Sequence, residues 1–69
     1  MFMVNASKIR TLMFAKGIVG SYELARQAKL NGATIKKCLQ DGSKATLKTI
    51  FALANFFGVN GEELILKED

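Results

Sequence analysis

The 69-residue chain has no histidine, no proline, no tryptophan and a single cysteine. Each absence removes a class of chemistry. Without histidine, and with one thiol, there is no Cys/His set of the kind that holds zinc and no imidazole to serve as a general base, so no metal, cofactor or enzyme activity is expected. One cysteine cannot form an internal disulfide, which points to a reducing, cytoplasmic setting. Cys38 falls on an apolar helical stripe and reads as a buried structural thiol, because free cysteine behaves as a small hydrophobe. No apolar run approaches the roughly 18 residues that span a bilayer, so no membrane role is expected. The opening Met1-Phe2-Met3-Val4 is too short for the apolar part of a signal peptide and lacks a basic lead. It reads as a disordered end or, alternatively, as a packing arm or part of a subunit contact. Low-complexity tracts, linker composition and internal repeats are also missing, leaving one short domain over residues 1–69. A chain this size buries only about 60% of its unfolded surface, so neither an effector-binding domain nor a small-molecule effector is expected.

What is present is unevenly spread positive charge. Residues 1–48 hold nine Lys/Arg and two acids, a balance of +7, whereas residues 49–69 hold one Lys and four acids, a balance of −3. A basic front with an acidic back suits a polyanion-facing surface, although ordinary solvated lysines account for the imbalance equally well.

Apolar periodicity predicts five helices and no strands, over residues 6–16, 21–28, 32–40, 46–57 and 61–66. Asn5 is a good N-cap for the first, which carries Ile9, Leu12 and Met13 and ends at Gly17. Leu24, Ala25 and Ala28 form one stripe on the second. Ile35, Cys38 and Leu39 repeat that spacing on the third, after Lys29 at the corner, Leu30 pointing inward and Asn31 as N-cap. The fourth has the strongest pattern, a wide apolar face of Leu47, Ile50, Phe51, Leu53, Ala54 and Phe57. Asn60 and Glu63 form an Asx version of the capping box for the last. Phe14, Phe51, Phe56 and Phe57 fall at helical spacing and read as core rather than as a stacking platform for single strands.

LARQAKLNGATI resembles the helix-turn-helix core of the lambda-repressor and Cro (XRE-like) family of regulators. LKTIFALANFFGV resembles that family's fourth helix, NGEELI its fifth and KIRTLMFAKGI its first, so the similarity covers about residues 8–66. The expected fold is an all-α, compact five-helix lambda-repressor-like domain with the helix-turn-helix at its second and third helices. The sequence departs from the family in four places. Lys29 stands where glycine is usual for a left-handed backbone, at a cost of about 1 kcal/mol. The first turn is one residue longer at Val19-Gly20. Gly42 comes one residue late. Leu39 replaces a frequent acid, which leaves Arg10 free to face solvent or DNA.

In such a domain the second helix of the motif enters the major groove with its N-terminal residues at base edges. The resemblance places Gly32, Ala33 and Lys37 where bases are read, with Asn31, Thr34 and Lys36 at the margins. Gly32 and Ala33 carry no hydrogen-bonding side chain, so base preference is expected to rest first on Lys37, which can donate to guanine O6 and N7, and then on Thr34. Ser21, Tyr22, Lys36, Gln40, Ser43 and Lys44 are the expected phosphate contacts, Tyr22 being open to packing as well, and Asp41 is an awkward neighbour for a phosphate. The function implied is sequence-specific binding of double-stranded DNA by a transcriptional repressor. A homodimer is expected through the C-terminal Phe56, Val59, Leu64, Ile65 and Leu66. The blank Gly32 and Ala33 keep open a protein-interaction adaptor or antitoxin-like module on the same fold.

Overall fold

In the computed structural model, which describes residues 2–66, four α-helices pack around a core closed at one side by a small strand assembly. Met1 and the acidic Glu68 and Asp69, on which parts of the arm and charge readings rest, lie outside the described residues. Helix α1 spans Ala6–Ala15 and is capped by the Asn5 side chain, which accepts from the Lys8 N–H at 3.1 Å. Its buried stripe is Ala6, Ile9 and Met13. Helix α2, Ser21–Ala28, buries Leu24 and Ala25, and α3, Gly32–Cys38, buries Ile35 and Cys38. Helix α4, Leu47–Phe57, contributes Ile50, Leu53, Ala54 and Phe57. No helix among the described residues is long and apolar enough to cross a membrane.

The turn between α2 and α3 follows local rules closely. Lys29 takes the left-handed conformation at φ 59° and ψ 44°, the strained position that glycine would fill without cost. The Leu30 N–H then closes back onto the Ala25 carbonyl at 2.9 Å. Asn31 caps α3 by accepting from the Ala33 and Thr34 N–H groups at 2.8 and 3.2 Å, so two of that helix's orphan donors are satisfied by one side chain.

Several expectations need correction. The last helix is a single 3₁₀ turn, Gly61–Leu64, so the α-helices number four among the described residues. Glu63 still reaches back to accept from the Asn60 N–H at 3.3 Å, but one short turn is all that this capping supports. Helix α3 ends at Cys38, and Leu39 and Gln40 are already turn. Strands are present: β1 (Phe2–Met3) runs antiparallel to β2 (Lys44–Ala45) in the register Phe2↔Ala45 and Met3↔Lys44. The start of the chain is therefore a packed arm, with Val4 only 1% exposed. Two-residue strands are too short to show a period, and their partners are far off in sequence.

The aromatic reading is half right. Phe57 is buried and Phe56 half-buried, their rings edge-to-face at 5.1 Å. Phe14 is 87% exposed, because it sits one residue, about 100°, beyond the Ile9–Met13 stripe. Phe51 is 55% exposed and Leu47 41%, so the buried face of α4 is narrower than its run of apolar residues implies. The Phe51 ring lies over Gly61, where a Cβ would approach within 2.5 Å of it. The proposed dimer residues are mostly spoken for: Leu64 is fully buried, and Phe56, Val59 and Ile65 pack on the core.

Candidate nucleic-acid interface

The α2–α3 unit presents one continuous outer face. Asn31, Gly32, Ala33, Lys36 and Lys37 are exposed on it and Thr34 is half-buried, while Ile35 and Cys38 anchor the helix from behind. This division follows from the 3.6-residue turn: positions 35 and 38 share a face that positions 33, 36 and 37 avoid. At the start of α2, Tyr22 is 79% exposed and Ser21 half-buried. The helix has Gly20 before it, at φ 88° and ψ 161°, with no side-chain cap, so its first N–H groups have no side-chain capping partner.

Across from α3 lies a hollow of about 230 Å³. Thr34, Lys37 and Cys38 line it from α3, and Lys44, Ala45, Thr46 and Thr49 from the segment leading into α4. The fold thus brings Thr34, Lys37 and Lys44 to one site. Gln40 and Ser43 stand on the connecting loop, Gln40 exposed and Ser43 half-buried with its hydroxyl enclosed. Asn31 spends its side-chain oxygen on the α3 cap, which leaves its amide N–H₂ as the group able to meet a base. Sequence reasoning missed Thr46 and Thr49 as lining residues. Their only signal is that Thr46 caps α4, accepting from the Thr49 N–H at 3.4 Å.

The charges sort into paired and unpaired. Arg26, exposed on α2, is engaged by Glu23, which also accepts from the Gln27 amide at 2.6 Å. The Arg26 guanidinium, and after it Gln27, hold the Glu23 carboxyl below its ordinary range. Arg10, expected to be free, donates to the Leu39 carbonyl at 2.8 Å and to the Asp41 carboxylate at 3.3 Å. The lost helix acid is replaced by one two residues later, made reachable because α3 unwinds at Leu39. That pairing also offsets the charge of Asp41 beside the basic face. A further ion pair joins Lys8 to Glu63 at 3.5 Å. Among the described residues, Lys36, Lys37 and Lys44 form no ion pair, and the hollow contains no carboxylate.

Burial pushes the Cys38 thiol above its usual value, with Lys37 opposing the shift, so it stays a neutral packing group at physiological pH. No group of three or more metal-ligating side chains occurs among the described residues.

No curated protein and no solved structure matches this chain. The Cro/C1-type helix-turn-helix DNA-binding domain profile matches residues 8–67, from within α1 to beyond the 3₁₀ turn. A match over that share of the sequence, on a fold whose α2–α3 corner and exposed basic helix suit the motif, establishes that the chain belongs to the Cro/C1-type helix-turn-helix DNA-binding domain family.

Proposed function

We propose that residues 1–69 act as one domain, a transcriptional repressor that binds double-stranded DNA sequence-specifically by laying α3 in the major groove and occluding promoter DNA. The observation that carries this reading is that Lys36 and Lys37 on the outer face of α3, and Lys44 across the carboxylate-free hollow from Lys37, form no ion pair among the described residues. Lys37 and Thr34 meet base edges, with Ala33 against a thymine methyl, Gly32 permitting close approach and the Asn31 amide at the margin. Ser21, Tyr22, Lys36, Gln40, Ser43 and Lys44 hold phosphates, which fix register without reading sequence. The protein works in the cytoplasm as a homodimer, with half-sites about 34 Å apart. Its subunit contact uses the C-terminal region, where Leu66 and the Phe51 ring over Gly61 remain exposed.

The test is selection of bound duplexes from a random pool, followed by titration over a salt series. Affinity falls steeply with salt if phosphates dominate. Lys37→Gln relaxes preference at one base position, at about 1–3 kcal/mol of discrimination, whereas Lys44→Ala weakens all sequences alike. A chain that binds no duplex even at low salt contradicts the proposal.

One observation favours a protein-binding module instead. An open groove of about 350 Å³ runs between Arg10, Met13, Phe14, Ile18, Val19 and Leu39, and Phe14 and Val19 are each 87% exposed. Single exposed apolar residues are ordinary, whereas these two flank one groove and extend its apolar surface. An adaptor would use this groove and show no DNA binding at any salt concentration.

A further inference from the structure

The segment joining α3 to α4 is held from outside at both ends. At the α3 end, the Arg10 guanidinium grips the Leu39 carbonyl and Asp41. At the α4 end, the Val4 N–H donates to the Ser43 carbonyl at 2.9 Å, and β1 pairs with β2 so that Met3 lies opposite Lys44. The arm providing these bonds is itself anchored. Val4 is 1% exposed and bridged to Ile65, and the Leu66 N–H donates to the Met3 carbonyl at 2.9 Å. On β2 the side chains alternate, Ala45 buried and Lys44 exposed, so the ladder that seats Ala45 in the core turns Lys44 outward into the hollow.

We propose that residues 2–4 are a positioning element for DNA binding: they fix the backbone at Ser43 and Lys44 so that the Lys44 ammonium stands ready for a phosphate. The inference rests on the DNA-binding reading above. Two physical reasons support it. Lys37 and Lys44 line the same hollow with no carboxylate between them, so the ladder keeps two cations at one site where a phosphate can neutralise both. A lysine on a fixed backbone also gives up only side-chain freedom when it meets a phosphate, whereas one on a loose loop gives up backbone freedom as well.

The experiment removes the Val4 N–H donor and, because the Met3 carbonyl becomes that of an ester, also weakens the acceptor that meets the Leu66 N–H, so both changes loosen the arm and leave every side chain in place. The full chain is assembled by chemical synthesis with Val4 replaced by the corresponding α-hydroxy acid, which keeps the isopropyl side chain and turns the amide N–H into an ester oxygen. Binding to a duplex selected with the unmodified chain is read over a salt series, on the native background and on Lys44→Ala. The expected result is about 3- to 10-fold weaker binding, the scale of one net hydrogen bond. The salt slope should shrink by about one phosphate contact. No further loss is expected on Lys44→Ala, because the two changes then act through one contact. A merely structural role for the arm would weaken both backgrounds equally. Phe2→Gly, at a residue 40% exposed, loosens the same pairing without opening the core and should move both readouts in the same direction by less. Unchanged affinity and slope, or equal losses on the two backgrounds, overturn the positioning role while leaving DNA binding intact. Failure of the unmodified chain to bind any duplex removes the DNA-binding reading itself, and the arm's role with it.

Discussion

The two flanks of the basic face are built by opposite means. The α2–α3 corner is shaped by neighbours in sequence: Lys29 turns the chain, the Leu30 N–H closes onto Ala25, and Asn31 starts the next helix. The 39–45 segment is shaped by distant residues, with Arg10 reaching across 29 and 31 positions to Leu39 and Asp41 and the arm pairing with Lys44 and Ala45. A corner held by local rules sets where α3 points. A loop held by remote contacts can be adjusted without disturbing that direction, so the orientation of α3 and the placement of Lys44 are separable properties of this domain.

The comparison can be broken first at the element both flanks share. Ile35 is 0% exposed and ties α3 to the core, so Ile35→Ala should cost about 2–5 kcal/mol. In a domain of this size that approaches the whole of the stability, and denaturant titration should show a chain largely unfolded at room temperature. Asn31→Ala tests the corner alone. Loss of its cap should cost about 1 kcal/mol in the same titration. Lys29→Gly acts at that corner with the opposite sign, relieving the left-handed strain for a gain of about 0.5–1 kcal/mol. Arg10→Gln tests the loop and should have the smallest effect on stability, under about 0.5 kcal/mol, because the ion pair it breaks is largely exposed. Its signature is faster hydrogen exchange in residues 40–43 with the helices unchanged. If Arg10→Gln destabilises the fold as much as Asn31→Ala, the separation between the flanks fails.

The same division explains what could be read from sequence. The corner is legible down to single residues: N-capping by Asn31 and the Leu24–Ala25 and Ile35–Cys38 stripes are consequences of local stereochemistry, and the left-handed Lys29 is what the family resemblance implies. The arm is not, since β1 and β2 are two residues each and pair across most of the chain. Arg10 was misread for a related reason. Its expected partner position holds Leu39, and only the early end of α3 brings Asp41 within reach. Phe14 shows a limit of periodicity, which locates a stripe but not its width, so a residue just outside the Ile9–Met13 line passed as core. Around the hollow, Lys37 and Thr34 are expected at a DNA-facing surface from the family resemblance, whereas the facing Thr46 and Thr49 have no signal beyond a helix cap.

The proposed function depends on Lys37 reading a base from the exposed side of α3. The most direct measurement is competition binding of the native chain and Lys37→Gln against a panel in which each base pair of the selected duplex is varied singly. Lys37→Gln should lose discrimination at one position and keep it elsewhere. Uniform weakening across the panel, or an unaltered preference profile, would contradict the account.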